Sequence, residues 1–190
     1  MPIASRSSFF DQTGSSPEVL KHVVLIAGLA SLLPQGDGVI RLKPSEFRQL
    51  PAVVRRDLDR RGCTIPQAFW KTAPHNVITG SFIAKGSRDW AVLCSVKGSS
   101  RVLVYRNGGA TKVDSMERGR DALQTGANGV TEFARTISIA TPKYIADHAK
   151  EYGGPKPPPL DHDGIEDGGE TASIVRYYYR GKWLELQGAN

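Results

Sequence analysis

Three runs rich in β-branched and aromatic residues follow one another between Asn76 and Arg106, and they restrict this chain more than any other feature. They are Asn76–Ala84 (NVITGSFIA), Asp89–Val96 (DWAVLCSV) and Arg101–Arg106 (RVLVYR), separated by Lys85-Gly86-Ser87-Arg88 and Lys97-Gly98-Ser99-Ser100. A parallel pair needs a crossover of about a dozen residues or more, so such short Gly- and Ser-containing links indicate an antiparallel meander. In the second run Trp90, Val92, Cys94 and Val96 share one face, and Ala91, Leu93 and Ser95 share the other. Apolar residues on both faces predict a central, buried strand. Asn107-Gly108-Gly109 ends the meander.

The carboxyl end predicts a hairpin with a definite register. A two-residue turn at Arg180-Gly181 sets Tyr178 opposite Trp183, Tyr177 opposite Leu184, Arg176 opposite Glu185 and Val175 opposite Leu186. One face is then apolar (Val175, Tyr177, Leu184, Leu186), and the other holds an aromatic pair and an opposite-charge pair. Two helices are expected. Pro51–Arg61 carries Leu50, Val54 and Leu58 as one apolar stripe and stops at Gly62. The second starts with Thr141 as cap and Pro142 as first residue, repeats Tyr144, Ile145, His148 and Ala149 at helical spacing, and stops at Gly153-Gly154. Thr136–Ala140 reads as a short strand, Ala110–Gly129 as a surface excursion, and Pro155-Lys156-Pro157-Pro158-Pro159 as an extended strap. The fold class is therefore α+β: a single domain over residues 39–190, built on an antiparallel sheet meander with two or three short helices and a C-terminal hairpin.

Residues 1–38 read as a leader. A polar, Ser-rich start precedes Lys21-His22 and the run Val23–Leu33, in which nine of eleven residues are apolar, and Pro34 and Gly36-Asp37-Gly38 close it. Basic residue, apolar run and small-residue exit are the parts of a secretory signal peptide. The 22 residues before the run, with Asp11 and Glu18, are long and acidic for one, and a buried amino-terminal helix in a cytoplasmic protein is the alternative. No apolar run reaches the ~20 residues that span a bilayer. If the chain is exported, Cys63 and Cys94 have a single pairing, which ties the end of the first helix to the central strand. Two buried thiols are the alternative.

Two resemblances bear on this reading. Gly80-Ser81-Phe82, Gly86, Asp89-Trp90-Ala91-Val92, Val102-Leu103-Val104 and Asn107-Gly108 resemble one FG-GAP or VCBS-type repeat, whose acidic loop holds calcium; here the corresponding stretch Ile83–Arg88 carries no carboxylate. The strings RRGCTIPQ, NVITGSF, DWAVLCS, YGGPKPPPLDHDGIED and GKWLELQGAN resemble a group of exported bacterial proteins to which no activity is attached. That resemblance implies export and one domain, and it brings no substrate or catalytic residue.

Chemistry is densest at Asp161–Glu170, with five carboxylates in ten residues of a chain whose net charge is +6. Asp161, Asp163 and Asp167 follow D-x-D-G-x-x-D, oxygen ligands beside a turn glycine, which suits calcium as cofactor; a solvated acidic turn is the alternative. A hydrolase would use His162 as base, oriented by Asp163 or Asp167, with Ser81, Ser95 or a reduced Cys94 as nucleophile. No G-x-S-x-G elbow, H-E-x-x-H or phosphate-loop motif supports it. Arg176–Trp183 interleaves cations and rings as a nucleic-acid platform does, but the hairpin register buries Tyr177 and pairs Arg176, which disfavours nucleic acid. Tyr178 and Trp183 are left as a candidate surface for an envelope component or small ligand. The leading expectation is an exported, periplasmic or extracellular protein with a structural or ligand-binding role; the alternative is an envelope hydrolase centred on His162.

Overall fold

Tight turns with left-handed backbone set the framework. Lys97 and Gly98 have φ of 51° and 74°, and Arg180 and Gly181 have 47° and 85°. Positive φ at both central residues matches the twist of two hairpin strands, and glycine takes the second position without a Cβ clash. The computed structural model describes residues 38–116, 119–127, 129–169 and 172–188. All belong to the unit Gly36–Asn190, and the leader, apart from Gly38, lies outside the described residues.

In chain order, β1 (Arg41–Leu42) precedes α1 (Ala52–Arg60), and β2 (Ile65–Pro66) pairs back onto β1. The first large sheet contains β3 (Val77–Gly80), β4 (Asp89–Val96), β5 (Ser99–Tyr105) and β6 (Val113–Ser115) in that order, with β7 (Gly119–Arg120) also on β5. Next, β8 (Leu123–Thr125) and β9 (Thr131–Phe133) make a two-stranded ribbon. The second large sheet runs β10 (Thr136–Ala140), β11 (Gly164–Gly168), β12 (Ser173–Tyr179) and β13 (Lys182–Gln187), with α2 (Pro142–Tyr152) inserted between β10 and β11. Every ladder is antiparallel. The described residues are α+β, mostly antiparallel sheet with two α-helices.

Strand alternation sorts the apolar residues into three cores and four layers. Leu50, Val54 and Leu58 pack on Trp90, Val92, Cys94, Leu103 and Tyr105, so α1 covers one face of the first sheet. Burying each of these aliphatic side chains contributes about 1.5–3 kcal/mol. The opposite face, with Ala91, Leu93, Val102 and Val104, meets Ile137, Ile165 and Trp183 of the second sheet. On the far side of that sheet Val175, Tyr177 and Leu186 meet Ile145 and Ala149 of α2. The order is α1, first sheet, second sheet, α2. As a central strand covered on both sides requires, β4 is buried from Asp89 to Ser95.

The helix ends follow their local chemistry. Pro51 precedes α1, and Gly62 at φ 71° follows it. The Thr141 side chain accepts from the Tyr144 N–H at 3.2 Å and caps α2, with Pro142 in the first turn. Asn76 locks the sheets together at the start of β10. Its Nδ2 donates to the carbonyls of Pro66 (2.7 Å) and Arg135 (3.2 Å), and its Oδ1 accepts from the Ile137 N–H at 3.0 Å.

Two expectations are corrected. The first meander strand ends at Gly80, because the chain leaves the sheet to bury Phe82. The buried Asp89 carboxylate holds that departure by accepting from Ile83 N (2.9 Å), Ser87 Oγ (2.5 Å) and Asn107 N (2.9 Å). Ala110–Gly129 is not a bare excursion: it supplies β6, β7 and β8 and buries Met116 and Asp121. Asp121 is tied inward by Ser95 Oγ (2.7 and 2.9 Å) and by Arg41 Nη2 at 3.3 Å.

Candidate functional site

The acidic segment does not form a cation loop. From Gly164 onward it is β11, an interior strand of the second sheet. Gly164 is there for close approach: a Cβ would lie 2.5 Å from the Arg176 carbonyl oxygen. Asp161 is exposed, while Asp163 spends its Oδ2 on the Ser81 N–H at 3.0 Å. Asp167 lies buried between two guanidiniums, accepting from Arg135 Nε (2.6 Å) and Nη2 (2.7 Å) and from Arg176 Nη1. The calcium set Asp161, Asp163 and Asp167 is therefore dispersed, and among the described residues no group of three His, Cys, Asp or Glu side chains gathers as metal ligands. The physical reason is the strand, which draws Asp167 away from the turn, and the two arginines, which satisfy its charge.

The hydrolase arrangement also fails to assemble. His162 Nδ1 lies 3.1 Å from the backbone oxygen of Asp163, and neither candidate carboxylate orients the ring. Ser81 Oγ donates to the Ser87 carbonyl at 3.0 Å, and Ser95 Oγ donates to buried Asp121. Cys94 is bonded to Cys63, with Cα atoms 5.2 Å apart. Each proposed nucleophile is thus already committed elsewhere.

Tyr178 and Trp183 meet edge to face, with ring centroids 5.5 Å apart. They are not an open platform. Trp183 packs against the core between the sheets, and its buried Nε1 has no hydrogen-bond partner. Arg106 lies 4.9 Å over the Tyr178 ring, donates to its hydroxyl at 3.2 Å, and forks onto Asp114. Burial works against the charge on Arg106, yet the bonds to Tyr178 and Asp114 prevail and raise its pKa.

Two cavities bring arginine side chains together. One, of about 350 Å³, opens beside Arg135, Asp167 and Arg176 with Gln124 and Ile174 on its wall. Its charges are matched: Arg176 Nε also donates to Glu185 at 2.7 Å, giving two guanidiniums for two carboxylates. Arg135 had no signal in the sequence, since only pairing of β10 with β11 sets Asp167 near it. The other cavity, of about 270 Å³, lies over the disulfide and is lined by Arg61, Cys94, Val96, Ser99, Arg101 and Leu103. Sequence reading missed this one as well: the Cys94↔Arg101 pairing places Arg101 beside the bridge. Compared with models of protein families, with characterised proteins and with solved structures, the chain has no significant match.

Proposed function

We propose that this chain is an exported bacterial envelope or extracellular protein with a structural or ligand-binding role, folding as one domain over residues 39–190. The observation that carries this reading is the Cys63–Cys94 disulfide, which joins the exit of α1 to the central strand β4. Such bonds persist in oxidising compartments and are rare where thiols are kept reduced. The sequence of the leader, Lys21-His22 followed by Val23–Leu33, supports the same compartment. Among the described residues no helix is long and apolar enough to cross a membrane. The binding role is favoured over hydrolysis because the residues around His162 are engaged in backbone and structural bonds.

Fractionation of cells expressing the full chain, with intact mass measured before and after reduction, tests the proposal. Recovery from the periplasm or medium, with a mass that rises by two hydrogens on reduction, is expected. Recovery of the full-length chain from the cytosol with both thiols open to alkylation would overturn it.

A further inference from the structure

The cavity over the disulfide is cationic, in contrast to its neutral counterpart at the other charged cavity. Near the end of α1 a single carboxylate, Asp57, serves two guanidiniums: it accepts from Arg61 Nε at 2.6 Å and from Arg60, and also from Tyr105 Oη at 2.9 Å. Arg101 stands on the adjacent strand with only Ser115 Oγ as a hydrogen-bond partner, at 3.2 Å, and among the described residues no carboxylate pairs with it. Two guanidiniums, Arg61 and Arg101, therefore line the cavity, and since Asp57 pairs with Arg61, the described residues leave one positive charge in excess there. The Ser99 hydroxyl lines the same cavity, and Cys94, Val96 and Leu103 contribute apolar lining. Alternation along β5 explains the set, since Ser99, Arg101 and Leu103 fall on one face, and Cys94 and Val96 face them from β4.

We propose that Arg61, Arg101 and Ser99 form a binding seat for a small phosphate monoester. The unpaired Arg101 guanidinium supplies attraction for an anion, and the N–H forks of Arg101 and Arg61 match tetrahedral phosphate oxygens in geometry. The hydroxyl adds a further donor, and the apolar lining accepts the organic part of the ester. Cys94 lines the cavity as well as forming the disulfide, but the groups that would hold the phosphate, Arg61, Arg101 and Ser99, are apart from those that carry the export reading, so either can fail without the other.

The experiment is titration of the oxidised full chain with phenyl phosphate and, separately, inorganic phosphate, each at ionic strength matched with sodium chloride. Melting temperature and calorimetric heat are read. Phenyl phosphate is expected to raise the melting temperature and to bind more tightly than inorganic phosphate. Arg101→Gln and, separately, Arg61→Gln are expected to weaken it at least tenfold. Lys85→Gln, in the turn at the opposite end of β4, leaves it unchanged. Circular dichroism establishes that each variant is folded, and having two independent seat variants keeps the test decisive if one does not fold. No response beyond the chloride control, equal affinity for the two phosphates, or affinity that survives both arginine substitutions overturns the proposal.

Discussion

Tyr105 Oη donates to Asp57 Oδ2 across 2.9 Å inside the protein, joining the last residue of β5 to the buried side of α1. Burial pushes the Asp57 carboxyl up, but hydrogen bonds from Arg61, Arg60 and Tyr105 together hold it below its ordinary 3.8. A carboxyl depressed in the fold contributes stability that is present above the unfolded value and lost as pH falls through the folded one. Tyr105→Phe is expected to cost about 1–2 kcal/mol at neutral pH in urea unfolding. Asp57→Asn is expected to differ most from the parent at neutral pH, with the gap narrowing below pH 3.8. A gap independent of pH would show that Asp57 is not ionised in the fold.

His75 titrates in the opposite sense. Its Nε2 accepts from the Ala68 N–H at 2.7 Å while Nδ1 donates to the Ala73 carbonyl at 2.9 Å, an arrangement that requires the neutral ring. Burial lowers its pKa from 6.5, against the bond to Ala73. The unfolded chain therefore takes up a proton first, and stability falls as pH drops below 6.5 toward the folded value. Equilibrium unfolding between pH 7.5 and 5.5 (about two units around the histidine range) is expected to show this slope, and His75→Gln to flatten it.

The disulfide closes a segment with a sequence separation of 31. Chain-entropy reasoning assigns such a closure about 3–4 kcal/mol. Replacing both cysteines by serine is expected to lower the unfolding free energy by that order while leaving the circular dichroism of the folded state unchanged.

Asn76 combines a left-handed backbone, φ 67°, with three side-chain hydrogen bonds. Asn76→Ala loses the bonds and strains the backbone; Asn76→Gly loses only the bonds. Alanine is expected to be the worse substitution by about 1–2 kcal/mol in denaturant unfolding, although glycine is the more flexible residue. The reverse order would mean that the backbone strain is relieved elsewhere.

Asp167 is nearly inaccessible, and so is Arg176 beside it. Asp167→Ala leaves two guanidiniums without their shared counter-ion and is expected to cost about 3–5 kcal/mol. Replacing Asp167, Arg135 and Arg176 together by apolar residues of similar volume is expected to recover most of that loss, and a urea titration of the two variants compares them.

Patterns with a fixed short period were legible in the sequence. The alternation of β4, the Leu50–Val54–Leu58 stripe and the Tyr178–Trp183 and Arg176–Glu185 pairs each follow from local spacing, and the residues occupy those relations. What escaped depends on pairing between distant segments. Asp167 was read among its neighbours Asp161 and Asp163, yet its energetic partners are Arg135, from before α2, and Arg176, from the next strand. Buried Asp121 was missed for the same reason, since Ser95 reaches it across 26 positions of chain. Charge-rich segments look like surface until opposite charges arrive from elsewhere, and composition does not reveal where those charges come from.

The first helix and the first large sheet are complete in the chain before the second large sheet begins. Phe82, Ala91, Leu93, Val102, Val104 and Met116 reach the inner core early, whereas Ile137, Ile165 and Trp183 arrive only with the second sheet. During synthesis the leading half can therefore complete its outer, helix-covered side while its inner side still waits, greasy and open to any passing hydrophobe, for the remainder of the polypeptide.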